Sequence, residues 1–570
     1  MRLKDGPIED HVRLYRDLLR RGPLRLRLLE GGHARMGSSL HPLAPSGEVD
    51  ASAFLYSARR LPDCMAEVER VVMGEGDEAL RSLGLIEPSL CRHVRALSRR
   101  RLTLFDGRSI LAAAISSPSD LDDLVPALTC YQMEWNKMHA RLAGSDLGRG
   151  KSKSPELGSG EEARRVLRIS REDWEMMTKT WGEGWREKLS AIASGPKDIT
   201  LELAPALPGG GRVPIASWLE ELLQHFRDLG ARGRPVYFVS SNDHSLPNLL
   251  SGFVADNREE ILAFALRDPR LRKRWEILRD DDPAFVDDLL YYSAQGYLRS
   301  GGRLSAALRS AEEGVGIRRY ERSRFFDLRA QIVEIGRLDP DRIDGRLPVR
   351  GASTLAESRA LILNVDYPLG LAAHRLLSEV ILALPDLRGV YVMGKAATMY
   401  GRLGDVMIPT AVWDVHSGRL FQFENCFTLT EVRGHLREAA VFDDQKAVTV
   451  RGTFLHNREM MEEFKREDYN SIEMEAGPYL SALRERMPGK VGGGEISGRP
   501  GGDNLDLGIL HYASDTPYSQ RASLLSKSLG YEGIEATYAC ALAILERILG
   551  AEADRLRRRE GRHGERDSRL

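Results

Sequence analysis

The sequence predicts an α/β protein with a mixed central sheet flanked by helices, preceded by a mostly helical N-terminal region. Three observations predict this. From about residue 329 onward, short apolar strand-like runs alternate with longer helical ones, the pattern of a sheet covered on its faces. Near the N-terminus, Leu124, Leu128, Tyr131, Trp135, Met138 and Leu142 recur at helical spacing and form one apolar stripe. Between these textures lies a stretch, 143–162, rich in Gly, Ser and charge, with too little apolar surface to offset the entropy of ordering.

In chain order, residues 1–142 read as a helical domain and 143–162 as a flexible linker. Residues 163–550 read as the α/β domain. A helical run around Trp218–Leu229 precedes a buried-strand run, 235–240, and the polar turn Ser241-Asn242-Asp243-His244. A charged helical insertion follows, about 255–325. Strands are expected at 330–335, 360–365, 390–393, 405–409, 420–427, 447–455, 471–475 and 508–514, with helices at 369–384 and 534–549. The Gly-rich stretch 488–504 reads as a loop. The charged tail, 551–570, reads as disordered.

Composition narrows the function classes. Of the 570 residues, 42% are hydrophobic and 29% charged, values of a globular protein, and the formal net charge of −1 gives no basic field for nucleic acid. The runs Arg99-Arg100-Arg101 and Arg555–Arg559 read as solvated helix faces. Five cysteines, none in a Cys-x-x-Cys pair, argue against a zinc ribbon or a disulfide framework, and no metal site is expected. No apolar run reaches the roughly 18 residues of a membrane span, and the first residues carry no apolar leader, so a cytoplasmic enzyme without membrane contact is expected.

Three patches carry chemistry. In Val390-Tyr391-Val392-Met393-Gly394-Lys395, followed by Gly404-Asp405-Val406-Met407-Ile408, a glycine after an apolar strand permits close backbone approach by a ligand, or simply makes a turn. In Ser471-Ile472-Glu473-Met474-Glu475-Ala476, the two carboxylates share a face if the strand runs through both. Like charges so placed need an open cleft or nearby donors; a solvent-facing strand edge is the alternative. In Tyr512-Ala513-Ser514-Asp515-Thr516, an Asp just past a strand's end sits where α/β sheets bind ligands, or caps a helix.

In this order the patches resemble the nucleoside phosphorylase and nucleosidase superfamily, of the purine and uridine phosphorylase type, over about residues 357–550. The resemblance implies a phosphorylase-like sheet and cleavage of the N-glycosidic bond of a nucleoside or nucleotide, a purine compound. It implies that Glu475 holds the ribose hydroxyls, Met474 walls the sugar, and Asp515, oriented by Ser514, protonates a ring nitrogen of the departing base. Glu473 and Gly394 fall among the substrate contacts, and Phe454 matches the base-stacking aromatic in placement, with core burial as its alternative. Homo-oligomers with sites completed across subunits are implied, with no cofactor beyond inorganic phosphate as a co-substrate.

The match departs from the pattern around the glycine. An apolar residue stands where the family has a phosphate-binding Arg, and Lys395 stands where a hydroxyl residue is expected. Lys395 is either a point charge for phosphate or a salt-bridged structural lysine. Ser241 and Asn242 occupy the place of the early phosphate loop, as an anion cradle or a simple turn. Phosphorolysis and hydrolysis both stay open. A second class of function is a catalytically inactive nucleotide-sensing module coupled to a helical interaction domain.

Overall fold

The computed structural model describes residues 6–143, 160–205, 214–279, 283–300, 304–321, 328–347, 352–487, 495–496, 505–516 and 533–567. The protein is mixed α/β. Its helix-rich N-terminal region is built around a six-stranded sheet that the sequence pattern did not disclose. The strands are β1 (Leu24–Arg25), β2 (Arg70–Gly74), β3 (Arg92–Val94), β4 (Thr103–Phe105), β5 (Ile110–Ala114) and β6 (Thr200–Leu203), in the order β1-β6-β2-β5-β4-β3. Strands β6, β2 and β5 are parallel. The apolar stripe is confirmed: the helix Pro118–Ala143 buries Leu124, Leu128, Tyr131, Trp135, Met138 and Leu142.

The domain boundary needs correction. Helices Gly160–Leu167, Arg171–Trp181 and Trp185–Ser194 pack Ala163, Leu167, Met177, Leu189 and Ile192 into the N-terminal core. Strand β6 then closes the sheet by pairing Leu201 with Leu24. The N-terminal unit therefore extends to about residue 205, and the predicted linker lies within it. Of that linker, 144–159 fall outside the described residues, whereas 160–162 begin a helix.

The second unit holds a mixed sheet of β7 (Val236–Ser241), β8 (Ile317–Tyr320), β9 (Ala330–Glu334), β10 (Leu361–Asp366), β11 (Leu387–Thr398), β12 (Val406–Asp414), β13 (Arg419–Phe423), β14 (Val441–Thr449), β15 (Tyr469–Glu473), β16 (Glu495–Ile496) and β17 (Asp506–Asp515). Strands β10, β7, β11 and β17 run parallel, so their C-terminal ends lie together. Alternation along β11 sends Tyr391 and Met393 into the core beneath helix Ile534–Asp567. Val390 and Val392 enter the core beneath helices Leu371–Ala383 and Ala476–Arg486. The helical insertion is present as helices between Phe253 and Gly314.

Two further expectations are corrected. Residues 551–567 are helical, not disordered: the apolar stripe continues through Ala553 and Leu556. Buried Glu552 accepts hydrogen bonds from Tyr237 (2.9 Å) and Ser358 (2.8 Å) and pairs with Arg388 (2.6 Å). The run 447–455 is strand only to Thr449, because the next residues turn toward the N-terminal unit and bury Phe454 and Leu455 in its core. Of the loop 488–504, only β16 is described. No described helix is long and apolar enough to cross a membrane.

Candidate active site

The N-terminal unit covers the C-terminal ends of the parallel strands. Backbone meets backbone where a side chain at Gly452 would strike the Asp122 carbonyl (2.9 Å). Ser39 N–H donates to the His456 carbonyl (3.0 Å). Ser119 Oγ accepts from Leu371 N–H (2.9 Å), capping a helix of the other unit. The two units thus meet directly beside these strand ends.

The Glu-Met-Glu patch divides its roles by where the strand ends. Strand β15 stops at Glu473, so the expected shared face of Glu473 and Glu475 does not form. Glu473 turns inward. Its carboxylate accepts from the backbone N–H of Glu475 (2.6 Å) and Ala476 (2.7 Å) and from the Thr449 hydroxyl. These bonds satisfy the first donors of helix Ala476–Arg486, so Glu473 holds the fold rather than a substrate. Met474 is also buried, against Val448, Val450 and Ile472. Glu475 keeps solvent contact. Burial, and next the nearby Glu473 charge, push its carboxyl pKa well up, against the pull of the Arg99 guanidinium and of backbone N–H groups at Met474 and Gly370.

Asp515 ends β17, paired with Ala397 on β11; on its other side Ala397 pairs with Ile472 of β15. Asp515 thus ends one strand beside Ala397, and Glu475 lies two residues past the end of the other. Burial raises the Asp515 pKa, while Arg60, Lys395 and the Ser514 hydroxyl oppose the rise. Lys395 is exposed to solvent, yet surrounding protein lowers its ammonium pKa, with Asp515 opposing. That combination marks the lining of a concavity. Arg60, from the end of the N-terminal helix Ala51–Ala58, lies over the Tyr56 ring at 3.6 Å. Among the described residues neither Arg60 nor Lys395 forms an ion pair, and Arg60 Nε has no hydrogen-bond partner. A side chain built at Gly394 would meet nothing within 4 Å, so space is open beside the strand at that residue.

Other predicted contacts do not reach this opening. Phe454 is 1% exposed and packs against Tyr56 (5.5 Å between ring centroids) and His33 (6.1 Å), so its ring serves the domain contact rather than a base. Ser241 donates to Asn364 Oδ1 (2.8 Å), and Asn242 Oδ1 accepts from the backbone N–H of His244 (3.1 Å) and Ser245 (2.6 Å). The Ser241 hydroxyl and the Asn242 carbonyl oxygen are thereby engaged, whereas Asn242 Nδ2 is buried with no hydrogen-bond partner among the described residues. The neighbouring carboxylates Asp243 and Asp366, both bridged by Arg100, make the place unsuited to phosphate.

Sequence reasoning missed the contribution of Tyr56, Arg60 and the arginine run. Arg99 pairs with Asp123 (2.8 Å), Arg101 with Asp123 (2.9 Å), and Arg100 reaches across to Asp243 and Asp366. The solvated-face reading of this run is corrected. Three adjacent arginines without helical periodicity were the available signal; nothing local marked Arg60.

The chain matches the model of a family of unknown function, DUF6909, over residues 26–550. No curated protein matches it. Solved structures align at low scores. A 5′-methylthioadenosine/S-adenosylhomocysteine nucleosidase from Neisseria meningitidis, in complex with methylthio-immucillin-A, is 12% identical with a TM-score of 0.30, covering 55% of this chain and 99% of that one. An S-adenosylhomocysteine nucleosidase from Streptococcus pyogenes is 9% identical, TM-score 0.30, covering 55% and 97%. A futalosine hydrolase mutant from Helicobacter pylori is 8% identical, TM-score 0.29, covering 55% and 98%. Likeness at this level assigns no chemistry.

Proposed function

The chain belongs to the DUF6909 family of unknown function, and we propose that it cleaves the N-glycosidic bond of a purine nucleoside or nucleotide, with Glu475 and Asp515 as its catalytic residues. One observation supports this reading: at the strand ends Asp515, its carboxyl pKa raised by burial, has Lys395 and Arg60 nearby, and among the described residues neither cation forms an ion pair. Breaking an N-glycosidic bond leaves positive charge on the sugar and negative charge on the base. Ionised Glu475 accepts the ribose hydroxyls and favours the oxocarbenium-like sugar. Protonated Asp515 gives its proton to a ring nitrogen of the leaving base, a step worth about 10²–10⁴-fold. Its raised pKa keeps the acid form populated nearer to neutral pH. Lys395, beside Asp515, is placed to hold an anionic nucleophile such as inorganic phosphate; without one, water attacks.

The test is release of free base and of ribose 1-phosphate from a panel of nucleosides and nucleotides, with and without phosphate. Glu475→Gln and Asp515→Asn are expected to fold normally and to lose turnover by at least about 10²-fold. Wild-type rates in both variants would overturn the assignment. The engagement of Ser241 and Asn242 in the turn favours one second reading, a nucleotide sensor without turnover; tight nucleoside binding with no base release identifies it.

A further inference from the structure

Beyond the bond that is cleaved, the recess carries information about the base. The two cations near Asp515 can only donate, whereas the Ser514 and Tyr56 hydroxyls can donate or accept. The Lys395 ammonium has three N–H groups and no acceptor, and the Arg60 guanidinium has five and no acceptor. Asp515 in the acid form that the cleavage reading requires is a donor as well. Arg60 is also the most constrained of the three: its planar group lies on the Tyr56 ring (3.6 Å), and Tyr56 is wedged against Phe454. No carboxylate of the described residues claims it. A cation fixed on an aromatic plate, facing a solvent-reached opening and lacking a partner, is arranged for an acceptor brought by a ligand.

Purines differ at the relevant edge. The ring nitrogen N7 and the substituent at position 6 lie side by side. In guanine and hypoxanthine both are acceptors; in adenine an acceptor lies beside an amino donor. We infer that this site selects a 6-oxopurine over a 6-aminopurine, with Asp515 donating to the ring nitrogen and Arg60, supplied by the N-terminal unit, donating to the neighbouring carbonyl oxygen. Adenine would set its amino group against Arg60, leaving donor facing donor. This assignment rests on the cleavage reading for the pose of the base. It adds a specificity-determining residue from outside the sheet that bears the catalytic pair.

The experiment uses the full chain and the free bases hypoxanthine and adenine, whose dissociation constants are measured by calorimetry for wild type, Arg60→Met, Arg60→Lys and Arg59→Met. Base release from inosine and adenosine, and from their 5′-monophosphates, is followed in parallel. Wild type is expected to bind hypoxanthine about ten- to a hundred-fold more tightly than adenine, the span of one good paired recognition contact. Arg60→Met brings the ratio near one. Arg60→Lys, which keeps the charge but not the planar fork, leaves a reduced preference. Arg59→Met, whose side chain hydrogen-bonds Ser98 instead (3.2 Å), keeps the full preference. Equal or tighter adenine binding by wild type, an unchanged ratio in Arg60→Met, or binding of neither base at millimolar concentration overturns the inference. Should Arg60→Met fail to fold, the wild-type ratio and Arg60→Lys decide. A hypoxanthine preference without base release from any compound sinks the cleavage reading and leaves the base site standing. Base release without such a preference does the reverse.

Discussion

Replacing Glu473 by Gln separates the two glutamates of the Glu-Met-Glu patch. In the structure the Glu473 carboxylate accepts from two backbone N–H groups, at 2.6 and 2.7 Å, and from the Thr449 hydroxyl. A hydrogen bond to a charged group contributes about 1.5–3 kcal/mol and a neutral one about 0.5–1.5 kcal/mol. An amide at this place thus loses about 1 kcal/mol on each backbone bond, or about 2 kcal/mol in all, provided its oxygen still faces the helix start. The expected result is a melting temperature lower by a few degrees. The same change also removes the like charge that helps to raise Glu475. Glu475 must be ionised to act in the proposed reaction, so its titration sets the acid limb of kcat/KM. With Glu473 neutral, the Glu475 pKa falls and that limb moves to lower pH, while the alkaline limb, set by loss of the Asp515 proton, stays in place. Calorimetric melting and a pH profile of base release measure both. A variant that melts like wild type and has no turnover at any pH would place Glu473 on the substrate and refute the division of roles.

Two further outcomes are expected. Gly394→Leu projects a side chain into open space and has no left-handed backbone to strain, so it should melt within about 0.5 kcal/mol of wild type while abolishing base binding, read by calorimetry. In acid, Asp243 governs a loss of stability. Burial raises its pKa, but Arg100, His244 and Arg329 outweigh burial and hold it down at about 2. A depressed carboxylate stabilises the fold above its unfolded value, near 4, and that stability drains as pH falls toward about 2. Arg100→Met raises the Asp243 pKa and moves the onset of acid unfolding to higher pH, as followed by circular dichroism.

The strands of the second unit were largely legible, because β7, β9, β10 and β17 are short apolar runs. The N-terminal sheet was not. Its outer strands are two or three residues long, and its closing pair joins Leu24 to Leu201, a match that no local window contains. The run 447–455 misled because Val448, Val450, Phe454 and Leu455 are apolar for two reasons: the first belongs to a strand and the last two to the core of another unit. The order of strands brings the segments of Glu475, Asp515 and Lys395 to neighbouring positions on β15, β17 and β11. That order could not place Arg60, whose proximity to Asp515 arises only when the two units meet. The tail was misread because its arginines mask the spacing of Glu552, Ala553 and Leu556 on the buried side of a helix.

The serine that stoppers the helix at Leu371 belongs to the other half of the chain. So do the arginine over Asp366 and the apolar socket that receives Phe454. A shortened gene product starting near residue 214 would keep every strand of the larger sheet. It would also carry an unstoppered helix, acids stripped of their counter-charges and a bare aromatic side chain. Expression trials that split the protein between its halves should therefore yield insoluble material, and biochemical work on the recess calls for both halves on one polypeptide.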